Sequence, residues 1–483
     1  MAAAAQPLHA ALDDFAAAAA EEPRPARSSR VAAISALSNL SIQYNFSAIA
    51  VALALMDNGD HNGASAAAAY PRTELQSSLL KSLVFAGAIL GQFSMGVAGD
   101  VLGRRRAMLL TNGCAAAGAV GTALLTWGSP PAMYTVMGLS RFVLGVGVGG
   151  KYPLAASMSK EDSSGGASSS STQYQVAKGF FWQSPGAMLP YVVGLVLLWV
   201  FGPTHYGSDY LSSTSFQFRF LLGIGALPTI AAAYLTYRSD ESEEFTESKS
   251  LNPVKVAVRH PELFGRLVGC GVSWCLYDFI YYGTSFNQVA ITNAVFGKAD
   301  ALVDICWQNA VITAMGLPGV VGAIALLHVW SAKQLQLWGF LFLGLSSLAL
   351  AVATSAGASA AVKFLLFGIL VIALNWGVNV STYVLPAEVF PTEVRATFFG
   401  LSAAFGKVGA LVGSAAFKSI QDAVDLDGVY YVCAGVCLLG MLITHLFIPP
   451  ATGSSPRPFG EEHGVERIVS ASRSDRLLHT PGG

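Results

Sequence analysis

The chain has 483 residues, 53% of them hydrophobic and 12% charged, with a formal net charge of −1. A soluble domain carries about 25% charge, so this composition, with a mean hydropathy of +0.52, excludes an ordinary soluble enzyme or binding module. The absence of a basic excess also excludes a nucleic-acid binder.

The first thirty residues are rich in alanine and mix Asp13, Asp14, Glu21 and Glu22 with Arg24, Arg27 and Arg30. No apolar h-region follows a charged n-region, so residues 1–30 read as a cytoplasmic tail and not as a cleaved signal. A bilayer span needs about 20 mostly apolar residues. About twelve such runs follow, near 31–56, 75–99, 107–127, 132–157, 176–201, 216–237, 265–291, 304–330, 334–354, 361–384, 394–417 and 428–448. The longest polar interruption, RSDESEEFTESKSLNPVKVAVRH, separates six runs from six. The expected organisation is therefore an N-terminal six-helix bundle (31–237), a central cytoplasmic loop (238–260), a C-terminal six-helix bundle (261–449) and a cytoplasmic tail (450–483). Such a layout belongs to all-α membrane proteins that move a small solute, each half built from inverted repeats.

Basic residues set the orientation. Arg24, Arg27, Arg30, Arg104, Arg105, Arg106, Arg238, Lys249, Lys255 and Arg259 share one side if both termini are cytoplasmic, and the other side has few, among them Arg72, Arg219 and Lys298. The stretch after Lys160, EDSSGGASSSSTQ, reads as a flexible connector. Sequons at Asn39, Asn45 and Asn379 fall inside predicted spans, where glycosylation is not expected. The six cysteines (Cys114, Cys270, Cys275, Cys306, Cys433, Cys437) lie in apolar runs without metal-ligand spacing. They read as small packing residues, with no disulfide framework, metal or cofactor expected.

Between the second and third runs stands GVAGDVLGRRR, residues 96–106. Its glycines allow close helix approach and a sharp turn, and its charges can pair or cap helix ends. In the fourth run, Arg141 is a costly intramembrane cation. Tyr152 lies about 20° from it in azimuth and about 16 Å along the axis, and Lys151 about 80° off that face. A positive face suits an anionic solute, because an unpaired buried cation costs several kcal/mol that an anion would offset. In the seventh run, Trp274, Asp278 and Tyr282 stand at i, i+4 and i+8 and form one stripe. No Ser/His/Asp order, metal cluster or phosphate loop before a helix speaks for an enzyme, and the glycines of 145–150 read as helix packing.

The loop at 96–106 resembles the signature loop of the major facilitator superfamily. That resemblance implies the major facilitator fold, about twelve transmembrane helices in two six-helix bundles. It also implies a cytoplasmic latch at Gly96, Asp100, Gly103, Arg104 and Arg105. The stretch GGKYPLAASMSKE, residues 149–161, is similar to the phosphate:proton symporter family, which has Gly-Gly-Asp-Tyr-Pro-Leu there. The likeness continues through Trp182-Gln183, the Trp-x3-Asp-x3-Tyr stripe, NWGVNVSTY at 375–383, LPAEVFPTEVRATFFG at 385–400 and GKVG at 406–409. Of these, PAEVFPTEVR also occurs in sugar porters. The resemblance implies a substrate site at Tyr152, Gln183, Trp274, Asp278, Tyr282 and Asn379, with Asp278, Lys407, Arg141 and Lys151 as the charged groups concerned with coupling. It implies a monomeric secondary active transporter of inorganic phosphate in the plasma membrane, working by alternating access and coupled to a cation, in the first place the proton. A protonated Asp278 would donate to the anion and an ionised one would repel it. The chain departs from the family at Ile42-Gln43-Tyr44-Asn45, where two acids are missing, and at Lys151, where the family has aspartate. Coupling through Asp278 alone, another driving ion, and uncoupled passage all follow from these departures as alternatives. An organophosphate, another organic anion or a sugar is the alternative cargo, and a non-transporting nutrient receptor the alternative role.

Overall fold

The computed structural model describes residues 24–57, 70–163, 169–201, 209–248, 253–296 and 302–450. The outer parts of both tails, Lys249, Lys298 and residues 164–168 of the Ser/Gly connector lie outside the described residues. Twelve helices among the described residues are long and apolar enough to span a bilayer: α1 Arg27–Asp57, α2 Glu74–Leu102, α3 Arg104–Leu124, α4 Pro130–Ser163, α5 Ser170–Phe201, α6 Ser213–Tyr237, α7 Glu262–Thr284, α8 Leu302–Leu326, α9 Ala332–Ser355, α10 Ala360–Val389, α11 Arg395–Ser414 and α12 Ser419–Phe447. The described residues contain no strand, and two short helices, Glu243–Ser248 and Pro253–Arg259, lie between α6 and α7.

Local sequence explains where the helices start and break. Thr73 before α2 and Ser331 before α9 each form a capping box with the glutamine three residues on, which satisfies two otherwise orphaned backbone donors. Gly103 joins α2 to α3 at φ +101°, a conformation that a Cβ disfavours. Gly377 breaks α10 at φ +66°, and a Cβ there would lie 2.5 Å from the Cα of Gly339 on α9. Large apolar side chains such as Leu139, Trp199, Leu365 and Leu438 point outward, the arrangement a hydrocarbon solvent demands of helices whose backbone bonds are all internal.

In the first half α4 packs on α2 and α3, and α1 on α5 and α6; in the second, α7 and α9 pack on the α11–α12 segment. The halves meet where α2 lies against α11 and where α5 lies against α8. Two expectations change. Helix α4 runs on to Ser163 with Glu161 buried, so the start of the Ser/Gly stretch is helix, held by ion pairs. The central segment likewise folds into short helices, because its acids find arginines from both halves.

Candidate functional site

A cavity of about 340 Å³ lies between the halves, lined by α1, α2, α4, α5, α7, α8, α10 and α11. Its walls include Tyr152, Gln183, Trp274, Asp278, Tyr282, Asn379 and Lys407. The structure thus brings all six expected substrate residues together with the α11 lysine. In the C-terminal wall the Lys407 Nζ donates to Asp278 Oδ2 at 3.0 Å and to the Tyr282 hydroxyl at 3.5 Å. Both charged side chains are 5% exposed or less. Small residues bring them together: a Cβ on Gly409 would lie 2.0 Å from the carbonyl oxygen of Cys275, and one on Gly406 would run into the Trp274 indole. Helices α7 and α11 therefore touch backbone to backbone, which brings Lys407 within reach of Asp278.

The other walls supply neutral hydrogen-bonding groups. Gln183 begins the second segment of α5, after the break at Phe181–Trp182. Its Oε1 accepts from Gln43 Nε2 at 2.8 Å, and its Nε2 donates to Asn39 Oδ1 at 3.2 Å. Asn39 in turn donates to the Tyr383 hydroxyl on α10 at 3.4 Å, so an amide chain crosses from the N-terminal half to the C-terminal half. Asn379 follows the α10 break and donates to Asn375 at 3.5 Å. Tyr152 packs edge-on against Trp274 and Tyr383, and Tyr383 also meets Phe180 and Phe399.

This aromatic layer separates the cavity from a buried ionic cluster built on the signature loop. Arg104 Nη1 pairs with Asp100 at 2.7 Å and Nη2 with Glu161 at 2.8 Å, and Arg395 from the other half pairs with the same Glu161 at 3.2 Å. Asp100 also accepts from the backbone N–H groups of Ala396 and Thr397, capping α11 from across the interface. Gly96 packs against the Ala396 carbonyl. Glu241 accepts from the backbone N–H groups of Arg104 and Arg105 at the start of α3, beside Gly103. Lys160 pairs with Glu388 at 2.7 Å, again across the halves.

Arg141 and Lys151 stand elsewhere. Arg141 is fully buried, its Nε donates to the Leu80 carbonyl, and neither Nη has a partner among the described residues. Lys151, also fully buried, donates to Ser41 and Thr229. Neither lines the cavity. The positive face inferred from helical azimuth is therefore not presented to a solute: at the level of Arg141 that face is covered by α2, while about three turns further on Tyr152 reaches the opening. Sequence reasoning also missed Gln43, Asn39, Tyr383, Glu161, Glu241, Glu244 and Glu388. Buried amides and acids in or beside spans were the available signal, since such groups need partners.

Twelve spans folded around a polar cavity define a membrane transporter. The profile of the family described as sugar (and other) transporter matches residues 31–252 and 272–457. Inorganic phosphate transporter PT2 of Toxoplasma gondii is 35% identical over 417 residues, 86% of this chain and 71% of that protein. Inorganic phosphate transporter 1-6 of Oryza sativa subsp. japonica is 28% identical, with 78% and 82% covered. Among solved structures, the proton:xylose symporter XylE bound to 6-bromo-6-deoxy-D-glucose superposes with a TM-score of 0.72 at 18% identity, covering 90% of this chain and 98% of that one. The human organic anion transporter MFSD10 gives 0.62 at 16% identity, covering 88% and 100%. The chain belongs to the sugar (and other) transporter family of the major facilitator superfamily, as a divergent member of its phosphate transporter group.

Proposed function

We propose that this protein is a secondary active transporter of inorganic phosphate that works by alternating access and is coupled to a cation, in the first place the proton. The observation that carries the reading is the buried Lys407–Asp278 pair, with Tyr282 beside it, in a cavity otherwise lined by aromatic rings and neutral donors. An entering anion finds one ammonium, already occupied by a carboxylate. Taking a proton on Asp278 releases Lys407 to the anion and turns the carboxyl into a donor. Anion and proton therefore favour each other's binding, and loss of the proton returns Lys407 to Asp278 and expels the anion. Tyr152, Gln183, Tyr282 and Asn379 orient the phosphate oxygens, and Trp274 shapes the pocket. The names of the relatives, which are inorganic phosphate transporters, support the same cargo.

The latch supports the alternating-access part of this reading. Asp100, Arg104, Glu161 and Arg395 close one end of the interface with charges that must separate before the cavity can open there. We place this end and both termini in the cytoplasm and the protein in the plasma membrane. One chain forms the whole cavity, so a monomer suffices. The cavity is larger than a bare tetrahedral oxyanion, which makes phosphate esters the competing cargo. Uptake of radiolabelled phosphate into proteoliposomes under an imposed proton gradient, with phosphate esters as competitors, tests the proposal. No uptake under a proton or a sodium gradient refutes it, and preferential uptake of an ester reassigns the cargo.

A further inference from the structure

The amides between α1 and α5 have a fixed direction. Asn39 donates through Nδ2 to the carbonyl of Ser35, one turn earlier on α1, at 2.9 Å. A backbone carbonyl only accepts, so Asn39 cannot exchange the ends of its amide, and its Oδ1 has to face Gln183. Gln183 answers with Nε2 at 3.2 Å, which leaves its Oε1 for the other side. There Gln43 meets it with Nε2 at 2.8 Å. One main-chain acceptor thus orients all three side-chain amides through their hydrogen bonds.

This direction decides what the cavity receives. Gln43 and Gln183 line the cavity, and Asn39 does not. Gln183 therefore turns its nitrogen behind the wall and its oxygen along it, where a bare acceptor would repel an anion. The Gln43 nitrogen covers that oxygen. An amide nitrogen carries two hydrogens, and the Gln43 side chain also engages the Tyr282 hydroxyl, the group that accepts from Lys407 at 3.5 Å. Phe46, three residues after Gln43 on the same face of α1, has its ring centroid 5.6 Å from the Lys407 Nζ. Phe85 stacks on Phe46 at 4.9 Å and meets Tyr282 edge-on at 5.5 Å. These rings keep the ammonium, the phenol and the Gln43 amide together at the α1 wall. Gln43 stands in the stretch where the chain departs from the family, so the resemblance gives it no role.

We propose that Gln43 is an anion-binding residue: its Nε2 donates to the phosphate oxygen that Lys407 also holds, and Gln183 acts on the anion chiefly by positioning Gln43. In the empty site the Tyr282 hydroxyl stands in for the anion as acceptor of both donors. On loading, the anion takes that place and receives Lys407, Gln43 and the Tyr282 O–H, all as charge-assisted hydrogen bonds. The anion thereby joins α1 of the N-terminal half to α7 and α11 of the C-terminal half. This inference rests on phosphate being the cargo.

Equilibrium binding of radiolabelled inorganic phosphate to the purified full-length protein tests it, with thermal unfolding in the absence of phosphate as the check on folding. Gln43→Leu removes the donor and should weaken binding about tenfold to a hundredfold, the worth of a hydrogen bond to a charged group. Gln43→Glu keeps the shape, offers no amide N–H and should bind no better, so it carries the same expectation if the leucine is not tolerated. The decisive variant adds Asn39→Leu to Gln43→Leu. Without Asn39 nothing fixes Gln183, and its Nε2 can turn to the anion. The double variant should therefore bind phosphate about threefold or more tighter than Gln43→Leu alone. Amides with a structural role only would give the opposite, because the second deletion adds its loss to the first. Parental affinity in Gln43→Leu, or an additive loss in the double variant, overturns the proposal and leaves phosphate as the cargo. A parent protein that binds no phosphate overturns the cargo reading and this assignment with it.

Discussion

Asp278→Asn preserves the shape of the side chain and removes its charge, leaving Lys407 without its counter-ion. At the observed 3.0 Å, two unit charges attract by about 5.5 kcal/mol at an effective dielectric of about 20. The two side chains are 3% and 5% exposed, so the low value of a solvated surface pair does not apply. Removing one partner of a buried pair costs about 3–5 kcal/mol, and the amide oxygen of asparagine, still able to accept from Lys407, returns about 1 kcal/mol. The phosphate-free protein should therefore lose roughly 2–4 kcal/mol of stability. Bound phosphate supplies the missing negative charge, so the loaded form should be damaged less. If half of the loss is recovered on binding, phosphate affinity rises about fivefold to thirtyfold. Thermal unfolding of purified protein, with and without phosphate, reads both quantities. The variant should melt lower alone and gain more from phosphate than the parent, while net proton-driven uptake disappears because no carboxyl remains to exchange a proton. Unchanged melting together with unchanged phosphate protection would show that the anion does not compete with Asp278 for Lys407, and net uptake with the parental pH profile would remove Asp278 from coupling.

Glu161 is buried between Arg104 and Arg395, so Glu161→Gln should weaken the latch by about 3 kcal/mol. In a cysteine-free background, a cysteine at Ala187 on the cavity wall should then react with maleimide from the latch side at least about tenfold faster, and an unchanged rate counts against the latch assignment. Burial opposes the ionisation of Glu244, but the Arg395 guanidinium and the Thr392 hydroxyl outweigh it and hold its carboxyl below the usual carboxylate range. A lowered carboxyl stabilises the closed latch above its unfolded value and loses that contribution as pH falls through the folded one; labelling should rise on acidification below the usual carboxylate range, and Glu244→Gln should already show the faster labelling at neutral pH. Gly409→Ala puts a methyl 2.0 Å from the Cys275 carbonyl and should cost about 1–3 kcal/mol in thermal unfolding. Gly435→Ala, where a Cβ meets nothing within 4 Å, is the neutral control, and equal behaviour of the two would deny the tight α7–α11 contact.

The spans were legible because a continuous apolar run of about 20 residues can satisfy its backbone in hydrocarbon as a helix: twelve apolar runs became twelve helices, with ends shifted by a few residues where capping boxes or ion pairs, not hydropathy, decide. The cavity stripe was legible for a related reason, since the i, i+4, i+8 spacing of Trp274, Asp278 and Tyr282 survives any packing of α7. What α4 faces was not legible. Azimuth alone put Arg141 with Tyr152, yet α2 covers one and the cavity opens on the other, and only tertiary neighbours distinguish them. Glu161 stood in a stretch read as a connector, and its partners Arg104 and Arg395 come from both halves of the chain. As amides inside a span, Asn39 and Gln43 signal a need for partners, but a one-dimensional reading does not say whether those partners are structural or part of the cavity.

The latch and the cavity are joined by one helix. Asp100 of the N-terminal half caps α11 at Ala396 and Thr397, and Lys407 follows eleven residues after Ala396, about 16 Å along the same axis. No break interrupts α11 between them, whereas α5, α6, α8 and α10 are each broken or kinked in the middle. Further along, Gly400 packs on the backbone of α2 at Gln92, and Gly406 and Gly409 pack on α7. If, as proposed, opening begins when Asp100 lets go of the α11 N-terminus, the helix would have to leave α2 as a rod, and its hold on α7 through the glycines would make that departure a movement of the α7–α11 pair. Asp278 and Lys407 would then travel together, so their contact would persist through the proposed change of access, while Gln183 and Tyr152 on the other half would be left behind. An anion bridging Lys407 to those N-terminal donors would resist this separation. In the proposed cycle, release toward the latch end would therefore be favoured once Asp278 has reclaimed Lys407, and the ordering of proton loss, anion release and latch opening would come from a shared rigid element without any further signalling path.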